Sequence, residues 1–366
     1  MDNKIAILGA GAIGSCIGAD LTKSGYQVAL IDQWPAHVEA MKTKGLHIQM
    51  PEEEVKTPVH AFHLSELCGL QPQFDMVFLT AKSNDTGWLV EFIQPYLKAG
   101  GVLVSLQNSL NDEVIARIIG VHRDIASTVE LSAELFEPGR VQRNTDRDHT
   151  WFAVGELDGR VTPRLEEIGR ILSHTAKVDV TTNIWGTKWS KLVLNSMTSG
   201  MCGILHARNW ELAQRAELRR ICVRLGRESL LVAKALGVTL EPLFGLSAED
   251  LLSSTDELLE KNLFAISSTI GTKARTMILQ DHLKGRRSEV DYINGLIVRK
   301  GKEAGVPTPV NEIIVSLNHQ IEQRLLRPDP SNVTLVEKLV SEIRIGSPPL
   351  GDRVIRMREG GFRRDR

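Results

Sequence analysis

Between the apolar run Lys4-Ile5-Ala6-Ile7-Leu8 and a helix-like run from Ser15 to Leu21 stands the turn Gly9-Ala10-Gly11-Ala12-Ile13-Gly14. Each glycine has its own task. Gly9 permits the tight turn, Gly11 lets the backbone approach a pyrophosphate without a Cβ in the way, and Gly14 lets the helix close on the strand. Phosphates then rest on the helix N-terminus, where Ala12 and Ile13 lie. Gln27 to Ile31 reads as the second strand of a βαβ unit, and Asp32 follows it at the distance where an acid hydrogen-bonds the adenosine ribose. A carboxylate there repels a 2′-phosphate, and Gln33, Trp34 and Pro35 bring no arginine, so NAD is expected rather than NADP.

A hydride-transfer enzyme needs a proton donor beside the carbonyl it reduces, because the developing alkoxide must be neutralised. In the run Thr187 to Asn195, Lys188, Lys191 and Asn195 fall at i, i+3 and i+7 on one helical face, beside an apolar stripe. Lone lysines are usually solvated, so spacing by itself leaves either as a surface group. Farther on, Glu289, Asp291 and Asn294 crowd polar groups onto a stretch that reads as a helix with Val290, Ile293, Leu296 and Ile297 inward. Helix capping by Ser288, with acids in the first turn, explains that stretch equally well.

These groups need a scaffold. With 366 residues the chain exceeds what one core serves, so two domains are expected. Strands at Asp75–Thr80, Gly101–Leu106, Ile125–Leu131, Trp151–Gly155 and Val178–Thr182, with helices at Thr86–Leu97 and Thr162–His174, alternate as a doubly wound parallel sheet requires. From Trp185 the period becomes helical. The reading is an α/β Rossmann domain over 1–183, an all-α substrate domain over 184–327, ending near Arg327-Pro328-Asp329-Pro330, and a C-terminal extension over 328–366.

Forty-four basic against 45 acidic residues give a net charge of −1, which supplies no global field for nucleic acid or an anionic membrane. The arginine-rich tail after Arg353 reads as a frayed, solvated end. Four cysteines show neither a CxxC pair nor zinc spacing, so no metal is expected and a reducing cytoplasm fits. No run of eighteen apolar residues exists, so no membrane span is expected.

The Gly9 motif, Ala81-Lys82, Gln107-Asn108, Lys191 to Asn195, and the block Glu289-Val290-Asp291-Tyr292-Ile293-Asn294-Gly295, in this order, resemble the ketopantoate reductase family over roughly residues 3 to 325. The resemblance implies a Rossmann domain joined to a 6-phosphogluconate-dehydrogenase-like helical domain, and a small hydroxy or keto acid as substrate. It implies Lys191 as general acid in reduction and base in oxidation, with Glu289 orienting it. Asn195 and Asn209 match substrate contacts, and Lys82 and Asn108 match residues at strand ends on the cofactor side. Helical substrate domains commonly dimerise, so a homodimer is allowed for.

The departures fall on the substrate wall. Met277 stands where the family usually has a serine, Ala274 where it has an asparagine, and Ser199 replaces another asparagine. Arg275 is either a new carboxylate clamp or an exposed helix arginine. Lost hydrogen bonds discriminate strongly between substrates. The expectation is therefore an NAD-dependent oxidoreductase of a 2-hydroxy acid that need not be pantoate. Authentic ketopantoate reduction and a non-catalytic NAD sensor are the alternatives. Leu240 to Asn262, long for the family, would reshape the cleft.

Overall fold

The structure is a computed structural model that describes residues 4–70, 73–242, 257, 259–261, 263–264 and 272–343. Most of the Leu240–Asn262 segment and the arginine-rich tail lie outside the described residues. Contacts divide the chain into two compact units. Residues up to Leu192, with 238–242 and 272–275, belong to the first, and 193–237 with 276–343 to the second.

In the first unit, β1 (Ile5–Leu8) sends Ile5 and Ile7 into one core and Ala6 and Leu8 into another. Burial on both faces is what a continuous apolar strand needs when helices cover both sides of a sheet. The strands that follow are β2 (Val28–Asp32), β3 (Leu46–Gln49), β4 (Glu54–Thr57), β5 (His60–His63), β6 (Phe74–Leu79), β7 (Leu97–Ser105), β8 (Asp124–Glu130), β9 (Ala133–Glu137), β10 (Arg140–Arg143), β11 (Trp151–Glu156) and β12 (Lys177–Val180). Among the described residues, eight of them form one sheet in the order β12-β11-β8-β7-β6-β1-β2-β5. β1 pairs in parallel with β2 on one side and β6 on the other, which makes its C-terminal end the switch point of the topology.

Helices α1 (Ala12–Lys23), α2 (Pro35–Lys44), α3 (Leu67–Leu70), α4 (Thr86–Ile93), α5 (Asp112–Ile119) and α6 (Pro163–Leu172) complete the wrapping. Ile17 and Leu21 of α1 and Leu165 and Ile168 of α6 enter the first core, and Leu89 and Val90 of α4 with Ile115 of α5 enter the second. α4 stops at Ile93 rather than reaching Leu97, because Gln94–Tyr96 tightens into a 3-10 turn around Pro95, which has no amide to continue the ladder. Two features depart from an all-parallel reading: β11 runs antiparallel to β8, and a second sheet of order β4-β3-β10-β9 stands beside the first core.

Arg143, at the end of β10, is 1% exposed and makes four hydrogen bonds. It donates to Asp20 Oδ2 of α1 (3.1 Å), Thr150 Oγ1 (2.9 Å) and the carbonyls of Thr145 and Thr175 (both 3.1 Å). Arg147 takes the other Asp20 oxygen at 2.9 Å. A buried charge is tolerated when its donors are matched in this way.

Helix α7 (Ile184–Leu205) runs from the first unit into the second, where α8 (Asn209–Gln214), α9 (Ala216–Ala235), α10 (Met277–Leu283), α11 (Asn294–Ala304), α12 (Pro309–Glu322) and α13 (Asn332–Ser341) follow. The second unit is helical, with a seam of buried asparagines. Asn294 donates to Ser196 O and Asn311 Oδ1 (both 2.9 Å), and Asn318 donates to Gly200 O at 3.2 Å. Gly203 keeps the helices close, since a Cβ there would meet Ile278 Cγ2 at 2.6 Å. The stretch from Ser288 is not one helix: Val290–Tyr292 is a 3-10 turn, and Ile293 (φ −108°, ψ −90°) breaks it from α11. Among the described residues, no helix is long and apolar enough to cross a membrane.

Candidate active site

Gly9 follows β1 with φ +90°, and a Cβ there would lie 2.7 Å from the backbone of Ala81. Its amide donates to Ile31 O (2.9 Å), and its carbonyl accepts from Thr80 Oγ1 (2.7 Å), so the turn is tied to β2 and to the end of β6. A Cβ on Gly14 would collide with Thr80 Oγ1, whereas one on Gly11 would meet nothing within 4 Å. Gly11 therefore faces open space at the N-cap of α1, and no side chain caps that end. Bare first-turn amides beside an open glycine fit a pyrophosphate. Asp32 ends β2, 9% exposed, and accepts the Trp34 amide at 2.8 Å.

Across the switch point, Lys82 caps the 3-10 turn Ser83–Asp85 and Asn108 follows β7, both half-buried. Gln107 joins their loops by donating to Ala81 O at 2.7 Å. The buried His37, which no local sequence pattern marks, braces the glycine turn. Its Nδ1 accepts from the Gly139 amide (2.9 Å), so Nε2 carries the hydrogen and donates to Ala10 O (2.8 Å), and burial pushes its pKa down.

The lysines of α7 are not surface groups. The Lys188 side chain is 2% exposed, donates to Ser127 O of β8 at 3.0 Å and lies 2.8 Å from Asp112 Oδ2. That approach pairs the charges off-axis, without hydrogen-bond alignment at either Asp112 oxygen. Asp124, fully buried on β8, has neither oxygen hydrogen-bonded, and burial beside Asp112 raises its pKa well above the carboxylate range. Lys191 is 13% exposed, and its Nζ contacts Glu130 Oε2 at the end of β8. Burial takes the Lys191 ammonium from 10.5 to about 7. The contact with Glu130 favours the charged form and opposes that shift.

Arg275 is not on a helix: it sits one residue ahead of Thr276, the N-cap of α10. Its guanidinium pairs with Glu134 Oε2 (2.6 Å), its amide donates to Glu134 Oε1 (2.8 Å), and it lies 5.4 Å over the Phe136 ring. In the second unit, Asn195 and Ser199 lie one and two turns beyond Lys191 on α7, both buried. Asn209 opens α8 and accepts from Cys202 Sγ at 3.4 Å, and the half-buried Met277 opens α10. Glu289 is buried, and its carbonyl accepts the amides of Tyr292 and Ile293. Sequence reasoning missed Glu130, Glu134 and the acids around Lys188; a carboxylate within a strand marks Asp124, Glu130 and Glu134, whereas Asp112 reads as an ordinary first-turn acid of α5.

The sequence profile described as Ketopantoate reductase PanE/ApbA matches residues 5–158, and that of the family's C-terminal domain matches 183–322. The chain belongs to the ketopantoate reductase family. Its members include the 2-dehydropantoate 2-reductase of Pyrococcus horikoshii, 30% identical over 86% of this chain and 96% of that one. The enzyme of the same description from Archaeoglobus fulgidus is 27% identical over 88% and 99%. Among solved structures, D-mandelate dehydrogenase with NADH and anilino(oxo)acetate superposes with a TM-score of 0.77 at 27% identity, covering 88% of this chain and 99% of that one. As a ketopantoate reductase family member, the chain is an NAD(P)-dependent oxidoreductase acting on a CH–OH group.

Proposed function

We propose that this chain interconverts a 2-hydroxy acid and its 2-keto acid with NAD(H), with Lys191 giving the proton in reduction and taking it in oxidation. The carrying observation is the Lys191 environment: an ammonium shielded from water, touching a carboxylate, and lowered by burial toward neutrality. A general acid works best when it titrates near the operating pH. When bound, the nicotinamide supplies the hydride in reduction and accepts it in oxidation. Glu289 orients Lys191 and the substrate hydroxyl, and Asn195 and Asn209 hydrogen-bond the substrate.

Asp32 supports NAD over NADP, since its carboxylate repels a 2′-phosphate. The substrate wall supports an acid other than pantoate. Met277, Ser199 and Ala274 offer fewer hydrogen bonds than the family pattern, and Arg275 is engaged by Glu134. Such a wall suits a less polar side chain, and the D-mandelate dehydrogenase neighbour holds anilino(oxo)acetate, a ligand with an aromatic ring. Ketopantoate reduction is the second reading, favoured by the description of the curated relatives.

The test is NADH and NADPH oxidation by the purified protein with ketopantoate, phenylglyoxylate and aliphatic 2-keto acids, with Lys191→Ala as control. NADH-linked turnover of an acid other than ketopantoate, lost in the variant, is the expected result. Ketopantoate turnover with NADPH would establish the second reading, and full activity of Lys191→Ala would remove the proton-transfer role.

A further inference from the structure

We propose that Glu130 is a positioning residue for Lys191: its carboxylate, at the end of β8, holds the Lys191 ammonium and keeps on it the proton that ketone reduction consumes. The inference rests on the reading of Lys191 given above. Three observations carry it.

The Glu130 side chain is 7% exposed and its Oε2 touches Lys191 Nζ, so little water competes for the contact. The backbone of Glu130 is also fixed in the sheet, where it pairs with Trp151 in the antiparallel β8–β11 ladder. Finally, the other lysine of this helical face, one turn earlier, has its own partners in Asp112 and Ser127 O.

The charged and titratable groups of the first unit near Lys191 include Glu130 from β8, Lys188 from its own helix, and, behind Lys188, Asp112 from α5 and Asp124 from β8. Lys188 and Asp112 cancel as a pair, and burial beside Asp112 favours the neutral form of Asp124. Glu130 is the anion in contact with Lys191, and it opposes the burial of the ammonium. Without it, a shielded ammonium has less to hold its proton and sheds it at lower pH.

The consequence differs by direction. Reduction needs Lys191 protonated and oxidation needs it neutral, so neutralising Glu130 weakens reduction at alkaline pH and favours oxidation near pH 7. The same residue would thus set which direction the enzyme runs well at a given pH.

The experiment titrates the protein without substrate. Lysine labelled with 13C at Cε is incorporated into the wild-type protein, Glu130→Gln, Glu130→Asp and Glu289→Gln, and the Lys191 resonance is assigned from its loss in Lys191→Ala. In Glu130→Gln the midpoint should fall by about one pH unit or more, the lower end of what an opposite charge at contact confers. Glu130→Asp, one methylene shorter, should fall between. With ketopantoate and phenylglyoxylate as probes, the alkaline limb of kcat/KM for reduction should move down by the same amount. That is about tenfold in rate per unit at pH values above both midpoints.

Coincident titrations of wild type and Glu130→Gln would overturn the proposal, as would a shift confined to Glu289→Gln. If Glu130→Gln does not fold, Glu130→Asp decides, and a midpoint equal to wild type counts against the inference. Retained turnover by Lys191→Ala would defeat the Lys191 reading separately, leaving the titration result intact.

Discussion

Replacing Lys188 with methionine removes one cation from the buried group that also holds Asp112 and Asp124, both 0% exposed. Burial beside Asp112 already favours the neutral form of Asp124, so the new cost falls on Asp112, which loses the cation 2.8 Å away. In the folded variant the Asp112 carboxylate stays buried without that counter-charge. Removing one partner of a buried pair costs roughly 3–5 kcal/mol, because the other charge is left uncompensated.

The gap between Lys188→Met and wild type should therefore be about 4 kcal/mol at pH 7. Urea unfolding followed by tryptophan fluorescence measures it, and Lys188→Met/Asp112→Asn should recover most of the loss. A gap below about 1 kcal/mol, or a double variant no more stable than the single one, would refute the reasoning.

Gly9→Ala places a Cβ 2.7 Å from the Ala81 backbone at φ +90° and should cost roughly 1–3 kcal/mol of stability together with NADH affinity, read by thermal melting and by NADH fluorescence titration. Asp32→Ala should weaken NADH binding while relieving repulsion of a 2′-phosphate, so the NADH/NADPH ratio of kcat/KM should fall by about tenfold or more, as loss of a 1–2 kcal/mol charged hydrogen bond implies; an unchanged ratio would dismiss the ribose role. Asn294→Ala strips donors from Ser196 O and Asn311 Oδ1 and should destabilise the protein by about 1–3 kcal/mol in urea unfolding while leaving NADH affinity unchanged.

What the sequence made legible was local. The Gly9 turn, β1 and Asp32 could be read because continuous apolar runs, glycine spacing and a terminal acid lie within about thirty residues of one another. Lys191 could be marked by its helical face, but its partner could not. Glu130 is 61 positions away and closes an apolar strand whose pattern does not say what the last side chain faces. The β4-β3-β10-β9 sheet escaped because its strands are four or five residues long, with β3, β4 and β10 alternating polar and apolar in stretches too short to separate from loop. The Ser288–Gly295 block read as one helix because its apolar spacing is helical, yet the chain turns at Ile293 and buries Asn294 against Ser196 and Asn311. There, long-range hydrogen bonding overrode local periodicity.

The Asp20–Arg143 contact bears on how this dinucleotide module could be exchanged. Residues 5–32 form a contiguous strand–turn–helix–strand cassette that a protein engineer would be tempted to transplant, or to replace with a turn of other cofactor preference. Yet α1 carries a carboxylate whose counter-ions arrive from Arg143 and Arg147, more than a hundred residues later. A cassette moved by itself would leave Asp20 stranded in its new host and Arg143 stranded in the old one. A chimera that respects the module must carry Asp20, Arg143, Thr150 and the Thr175 carbonyl as one inheritance, and cofactor swaps made inside the turn should leave that far end of α1 untouched.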